Sequence, residues 1–253
     1  MSRGRHFVTA EEVAELVDVE RSSVPASLQR SREAGTLVSP TKGAWIPVPA
    51  EFRTWGAPPA SHYIDALMRH LGHPYYVGFL SAAEVHGSSH QSPMVFQVVT
   101  PALLRHRQIG RSKIQFIQRS LTAERRTERR NVPTGRLNVS APEVTVLDLV
   151  EAPAFGGGLS NVATVIGELL DEGKLDTTAM ASDARVYPMS VAQRVGYLLD
   201  FMADATGVEV DTQPLLRLVA NAAVTELDPH EPATGTRDDR WRLVANAPIE
   251  PDR

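Results

Sequence analysis

The sequence predicts an α+β protein with two domains. Residues 9–46 combine two short helical patterns with a two-stranded β-ribbon pattern, and residues 47–59 are rich in proline and glycine, as connectors often are. Beyond them, strand patterns alternate with amphipathic helical patterns. At 253 residues the chain is long enough for two hydrophobic cores. We therefore expect a small domain at residues 1–57 and a larger, mixed α/β-containing domain at residues 58–253.

The first helix is predicted to begin after Thr9. The hydroxyl of Thr9 can cap the helix, and Glu12, three residues later, can bond back to the backbone N–H of the cap, which makes a capping box. The helical period then places Val13, Leu16 and Val17 on one apolar face. We expect all three to be buried.

The second helix is predicted at residues 22–34. Pro25 is tolerated in its first turn, Gly35 is the expected C-cap, and Val24 and Leu28 are expected to point to the core. The opposite side is short, polar and basic. It carries Ser22, Ser23, Ser27 and Arg30, flanked by Gln29 and Arg32.

A β-ribbon follows, in which Leu37 and Val38 are expected to pair with Trp45 and Ile46 across residues 39–43. Two helices and a ribbon with Lys42 at its tip are typical of a winged helix-turn-helix. Such a helix fits the major groove of DNA, where Arg recognises guanine and Gln recognises adenine, while Lys42 would contact a phosphate. The alternative is a helical hairpin whose outer side is merely solvated.

Only eight residues precede Thr9, so the helix that usually begins a winged helix is absent. Residues 61–71 are a candidate replacement, because their apolar residues recur at helical spacing. Arg3, Arg5 and His6 instead resemble a basic arm that follows a phosphate backbone or a minor groove. The alternative for this arm is a disordered N-terminus.

The net charge of −4 conceals an uneven distribution. Residues 100–136 carry ten basic and two acidic side chains, whereas residues 137–253 carry eight basic and nineteen acidic ones. The basic segment could be a second phosphate-binding surface, or its arginines could pair with the acidic C-terminal half. The possible phosphate contacts are Arg105, Arg107, Arg111, Lys113, Arg125, Arg126, Arg129 and Arg130.

Composition also bears on compartment and chemistry. The chain has no cysteine, which excludes disulfides, thiolate metal sites and a cysteine nucleophile. No apolar run is long enough for a membrane span and no signal-peptide pattern is present, so we expect a cytoplasmic protein.

Catalytic patterns are weak. Asp148 with Glu172 and Lys174 satisfies the loose order of a metal-dependent nuclease, but the latter two are expected where a helix ends. His86 and His90 have a spacing usable for zinc, without a third ligand placed nearby by the sequence. We therefore expect no enzyme, no catalytic residues, no metal and no cofactor.

In the larger domain, the patterns predict a helix beginning near Gly78, a helix opened by Pro142, and a helix capped by Ser160 or Asn161. A further helix is predicted at residues 188–202 and a short helix or strand at residues 215–219. Strands are predicted at residues 94–100, 114–118, 137–139 and 241–244.

Four segments of the chain resemble one family. They are YYVGFLSAAEVHG, SAPEVTVLDLVEAPAFGGGLSNVATVIGELL, SVAQRVGYLLDFM and TELDPHEPATGTRDDRWRLVAN, of which PEVTVLDL, GGLSN and RVGYLL are the most specific. In this order they resemble the AbiEi antitoxins, the regulator halves of the abortive-infection AbiE toxin-antitoxin systems. The resemblance implies an N-terminal DNA-binding domain that represses its own operon, an α+β antitoxin domain, and a nucleotidyltransferase-like toxin as partner. By position, it places the recognition helix on residues 22–32 and the wing on residues 39–43.

Two functions follow as hypotheses. The first is a sequence-specific repressor that binds the double-stranded DNA of its own operator and serves as the antitoxin of a two-gene module. The second is a protein-interaction antitoxin that binds the toxin or its target, with the winged helix as a docking surface. Salt separates them, because DNA affinity falls steeply with ionic strength and an apolar protein interface responds little.

Overall fold

The computed structural model describes residues 6–88, 94–120 and 122–252, and in these residues the chain folds as two α+β units. Unit 1 comprises Met1–Tyr76, Met94–Thr122 and Arg129–Asn138. Unit 2 comprises Val77–Pro93, Ala123–Glu128 and Val139–Arg253. The chain thus passes between the units several times. The predicted α+β class is confirmed.

Unit 1 begins with a small α+β segment at residues 8–47. Its three strands form an antiparallel sheet in the order β1-β3-β2. The elements are β1 (Val8–Thr9), α1 (Ala10–Val17), a 3-10 turn (Arg21–Ser23), α2 (Val24–Ser27), α3 (Gln29–Glu33), β2 (Leu37–Thr41) and β3 (Ala44–Pro47).

Helix α1 begins with the predicted capping box. The backbone N–H of Glu12 donates to Thr9 Oγ1 over 3.3 Å, and the N–H of Thr9 donates to Glu12 Oε2 over 2.8 Å. The helix ends at Asp18, which adopts a left-handed conformation with φ of 51°. Both hydrogen bonds satisfy N–H groups that would otherwise lack a partner at a helix start.

The predicted burial of α1 is only partly correct. Val13 is buried, but Leu16 is 62% exposed and Val17 is 48% exposed. The helix is only eight residues long and contacts the core through a narrow face, so residues in its last turn extend past the core. The hydrophobic cluster of this segment contains Val8, Ala10, Val13, Val24 and Trp45, with Ala14, Val19, Leu28 and Leu37 packed against it.

The second predicted helix is not continuous. Instead of one helix over residues 22–34, a 3-10 turn is followed by α2 and α3, with Leu28 at φ −93° and ψ 0° between them. Ser27 Oγ donates to the Val24 carbonyl over 2.8 Å, where it competes with the helical N–H ladder. The C-cap is Ala34 rather than Gly35, and Gly35 follows it with φ of +66°.

The ribbon has a shorter turn than predicted, because β2 extends to Thr41 and only Lys42 and Gly43 separate the strands. Val38 pairs with Ile46 as expected, and Leu37 pairs with Pro47. Trp45 pairs on its other side with Val8 of β1, a strand that the sequence analysis did not predict.

The rest of unit 1 contains α4 (Ile64–Leu71), preceded by 3-10 turns at Ala50–Trp55 and Ala60–His62. Helix α4 agrees with the predicted helix at residues 61–71. Its buried Ile64, Leu67 and Met68 are not members of the cluster around Trp45. Helix α4 therefore does not complete the core of residues 8–47, which the sequence analysis had offered as its role. Val8 of β1 belongs to that cluster instead.

Strands β4 (Tyr76–Val77), β8 (Thr127–Val132) and β9 (Gly135–Ser140) each cross the division between the units, and β9 lies between β4 and β8. Unit 1 also holds β5 (Phe96–Thr100), β6 (Arg107–Ile109) and β7 (Ser112–Gln118). Strand β7 is parallel to β5 and antiparallel to β6. The predicted strands at residues 94–100, 114–118 and 137–139 correspond to β5, β7 and β9.

Unit 2 is mainly helical. It contains α5 (Phe79–Val85), α6 (Pro142–Glu151), α7 (Leu159–Asp171), α8 (Thr177–Asp183), α9 (Met189–Thr206) and α10 (Gln213–Val219). A small sheet has the order β10-β12-β11, formed by β10 (Thr225–Glu226), β11 (Thr236–Asp238) and β12 (Leu243–Ala245). Within the described ranges, no helix has the length and apolar character needed to cross a bilayer.

Two predictions in unit 2 are wrong in detail. Helix α7 begins at Leu159 after Gly158, rather than behind a Ser160 or Asn161 cap, and the Asn161 amide donates to the Gly156 carbonyl over 2.7 Å. The closing strand begins at Leu243, because Arg242 before it has a left-handed backbone with φ of 54°. Trp241 is instead fully buried against Gly196 of α9. Helix α8, which Asp176 caps, was not predicted.

Candidate nucleic-acid interface

The outward side of α2, α3 and the preceding 3-10 turn is fully accessible. Val24 is completely buried and Leu28 packs against the same cluster, and these two residues fix the orientation of the helices. We call the opposite side the outer face. Its residues, all exposed, are Ser22, Ser23, Ser27, Gln29, Arg30 and Arg32.

The members of the outer face differ in how free their polar atoms are. Ser27 donates its proton to the Val24 carbonyl, which leaves its oxygen as an acceptor. The Gln29 amide donates to Glu33 Oε1 over 2.8 Å, so recognition of an adenine would require this contact to open. Arg30 and Arg32 form no ion pair with any described residue. The two arginines are therefore the charged donors that this face offers.

Lys42 lies exposed in the turn of the ribbon. Gly43 provides the left-handed conformation of that turn, with φ of +77°, and its carbonyl accepts a 2.8 Å hydrogen bond from the N–H of Ala10 at the start of α1. Ser39 Oγ lies within hydrogen-bond distance of the carbonyls of Thr41 and Ala44, at 2.8 and 3.0 Å. The hydrogen bonds of Gly43 and Ser39 thus hold the turn that carries Lys42 in place.

A second basic element, the hairpin of β6 and β7, is attached to the ribbon. Arg107 Nη1 donates to the backbone carbonyl of Pro40 in β2, and its guanidinium lies 5.9 Å from the centre of the Phe116 ring. Partial burial lowers the pKa of Arg107 from its ordinary value. This arginine therefore has a positioning contact inside unit 1.

The turn of the same hairpin is fixed against the 3-10 turn that ends at Trp55. The N–H of Arg111 donates to the Trp55 carbonyl over 2.8 Å. A Cβ atom on Gly110 would lie 2.3 Å from that carbonyl oxygen, so the close approach requires glycine. Arg105, Arg111 and Lys113 remain exposed on the hairpin and its flank.

The other arginines of the basic segment have different environments. Arg125 is 7% exposed and its guanidinium lies 3.2 Å from the centre of the Tyr187 ring. Arg126 bonds to Glu143 and, over 2.9 Å, to Asp183. These two arginines are engaged within unit 2. Arg129 and Arg130 are exposed on β8, and Arg3 and Arg5 lie outside the described residues.

The residues considered for catalysis have ordinary structural contacts. Asp148 is buried and accepts a 2.8 Å hydrogen bond from the Tyr187 hydroxyl. Lys174 bonds to the His86 carbonyl and to Glu172, and His86 Nε2 lies 2.8 Å from the Ser140 carbonyl oxygen. In the part of the chain that the structure describes, no group of three or more His, Asp or Glu side chains is arranged to hold a metal ion. His90 lies outside that part.

Two features of this surface were not predicted from the sequence, namely strand β1 and the hydrogen bond from Arg107 to the Pro40 carbonyl. The hairpin itself had a local signal, since Ile109-Gly110-Arg111-Ser112 places a glycine between two alternating stretches. The contact between this hairpin and the ribbon had no local sequence signal, because Pro40 and Arg107 are 67 positions apart.

The chain is similar in structure to a solved protein, the RV2827C protein from Mycobacterium tuberculosis. The two are 18% identical, with a TM-score of 0.66, over 95% of this chain and 86% of that chain. At this identity the likeness shows a shared fold. A search of curated proteins found no match to this sequence.

A family model does match the chain. Residues 76–201 match the AbiEi antitoxin C-terminal domain, a range that contains the PEVTVLDL, GGLSN and RVGYLL segments. This match supports an antitoxin role, and the family implies a toxin as partner. Through this domain, the chain belongs to the AbiEi-type antitoxin family.

Proposed function

We propose that the chain is an antitoxin that represses its own operon, with residues 8–47 acting as a winged helix-turn-helix. The observation that carries the proposal is the outer face, where Arg30 and Arg32 are exposed and have no ion-pair partner among the described residues. Lys42 lies in the turn between β2 and β3, and this turn would serve as the wing.

The outer face would enter the major groove. Ser22 and Ser23 have short side chains that permit close approach, and Arg30 can form two hydrogen bonds to a guanine edge. Arg32 and Gln29 flank this contact, while Ser27 would act only as an acceptor. Sequence preference would therefore depend mainly on Arg30.

The neighbouring basic hairpin would supply contacts that do not depend on sequence. Arg105, Arg111 and Lys113 are exposed, and the Arg107–Pro40 hydrogen bond holds their hairpin beside β2. Each phosphate contact releases counterions and steepens the salt dependence. Arg3 and Arg5 could add an N-terminal arm.

The toxin partner would be the product of a neighbouring gene, a nucleotidyltransferase-like protein, as the AbiEi family implies. The operator would be double-stranded DNA upstream of the two genes. Neutralisation of the toxin would depend on the antitoxin domain rather than on the outer face, so the two functions should respond to different substitutions.

Exposed apolar residues support a second candidate. Leu16 and Val17 are adjacent on α1 and largely exposed, in the same segment as the outer face. Such a pair favours a protein-docking surface. Under this alternative, Leu16→Gln would abolish co-purification of the co-expressed toxin and leave DNA affinity unchanged. Retained co-purification would exclude α1 as the docking surface.

The first experiment is fluorescence anisotropy of the purified protein with its own upstream DNA and with a scrambled duplex of equal length, across a salt series. We expect the upstream duplex to bind at least about a thousandfold more tightly, with an affinity that falls steeply as salt rises. Equal binding of both duplexes would refute sequence-specific repression. Absence of binding near physiological salt would favour the docking alternative.

A further inference from the structure

Unit 1 contains a cavity of about 530 Å3 that the proposed function does not use. Its wall is formed by His6 and Phe7, by α4 with the turn before it, and by the hairpin of β8 and β9. Three arginines line it, Arg69, Arg129 and Arg136, against the single carboxylate of Asp65. The charged side chains thus leave an excess of two positive charges.

The single carboxylate is already occupied. Asp65 pairs with Arg69 one helical turn away, and its other oxygen accepts a hydrogen bond from the Tyr75 hydroxyl over 3.1 Å. Arg129 and Arg136 form no ion pair with any described residue. Two guanidinium groups therefore line the cavity without a counter-charge, and guanidinium geometry matches phosphate oxygens.

The histidines of the cavity add to this electrostatic environment. Burial lowers the pKa of His62, and the nearby His6 lowers it further, although Glu51 opposes both effects. The Thr134 hydroxyl donates to the His62 carbonyl over 2.6 Å, which fixes the hairpin against the turn. Burial disfavours any charge on His62, whereas the contribution of His6 reflects positive charge nearby, which favours an anion.

The volume of the cavity and its uncharged lining residues indicate which class of ligand would fit. A volume of about 530 Å3 lies within the range of small-molecule sites and exceeds what a free phosphate needs. A DNA duplex is too wide to enter. Phe7 offers an aromatic ring, and Ser61 and Asn138 offer polar atoms, alongside the arginines. We propose that this cavity binds a phosphate-bearing small molecule of about the size of a nucleotide.

The test is isothermal titration of the full-length protein, without DNA, against each of the four common ribonucleoside triphosphates and against inorganic triphosphate. The variant is Arg129→Gln with Arg136→Gln. The matched control is Arg185→Gln with Arg217→Gln, which removes the same charge at two exposed positions of unit 2. Circular dichroism and thermal unfolding verify that both variants remain folded.

We expect at least one nucleotide to bind with 1:1 stoichiometry and a Kd below about 1 mM, and more tightly than inorganic triphosphate. The cavity variant should weaken it at least about tenfold, while the control binds like the parent. The proposal is overturned if no nucleotide binds, if inorganic triphosphate binds as tightly, or if both variants lose binding equally. Because DNA is absent from the titration, failure here leaves the repressor proposal intact.

Discussion

Arg107 donates a hydrogen bond to the backbone carbonyl of Pro40, and this contact joins the hairpin of β6 and β7 to the ribbon strand β2. The two residues connect the exposed cations Arg105, Arg111 and Lys113 to the element that carries Lys42. A carbonyl within a ribbon strand is therefore bonded to a charged donor from a distant part of the sequence. The proposed DNA-binding surface is in this way larger than residues 8–47.

Arg107→Ala should loosen the ribbon. Loss of a hydrogen bond from a charged donor, together with its ring contact, is expected to lower the free energy of unfolding by about 1.5 to 3 kcal/mol. Hydrogen exchange of the ribbon amides should accelerate in the same variant. Arg105→Ala removes an exposed charge nearby and should change stability by less than about 0.5 kcal/mol. Equal effects of the two substitutions on stability and exchange would contradict the positioning role of Arg107.

The capping box at Thr9 gives a second prediction. Thr9→Val keeps the shape of the side chain but removes the oxygen that accepts from the Glu12 N–H, and should cost about 1 kcal/mol in urea unfolding. Thr9→Ser retains the oxygen and should remain close to the parent. Because Thr9 also precedes α1 directly, the valine variant should show faster amide exchange in that helix. If the serine and valine variants proved equally stable, the capping bond would have no measurable value.

Two glycines in long helices give a matched test of packing in unit 2. A Cβ on Gly196 would lie 2.0 Å from the Trp241 ring, whereas a Cβ on Gly167 would meet the Met202 methyl at 2.5 Å. Alanine favours a helix over glycine by about 1 kcal/mol, and the flexible methionine can move away. Gly167→Ala should thus be nearly neutral.

The buried ring at Gly196 cannot move in the same way. Gly196→Ala should therefore destabilise the protein by at least about 2 to 3 kcal/mol despite its better helix propensity. Thermal unfolding of the two variants under one set of conditions compares them directly. A Gly196→Ala protein as stable as the parent would mean that Trp241 is not packed against α9 as described.

The features that the sequence predicted correctly have local causes. The capping box of Thr9 and Glu12, the helix that follows Gly78 and the helix opened by Pro142 each depend on residues within one or two turns. The outer face was also predictable, because Val24 and Leu28 set the orientation of one short helical stretch. The break between α2 and α3 at Leu28 was not predictable in this way.

The features that were not predicted depend on contacts between residues far apart in the sequence. Strand β1 is two residues long and exists because Val8 pairs with Trp45. Leu16 follows the helical period of Val13, yet it is exposed because the core does not extend to the end of α1. The basic cavity brings Phe7 near Arg136, and no spacing rule relates residues so far apart. Burial of Arg125 against Tyr187 is likewise a property of the folded chain.

We propose that the outer face recognises the DNA sequence, whereas Lys42 in the proposed wing attracts DNA of any sequence. The most direct measurement is the affinity of Arg30→Ala and Lys42→Ala for upstream and scrambled duplexes at one salt concentration. Arg30→Ala should lose about 1 to 3 kcal/mol on the upstream duplex and little on the scrambled one, while Lys42→Ala should weaken both by similar factors. If each substitution weakened both duplexes to the same extent, the outer face would have no part in sequence recognition and the account would be contradicted.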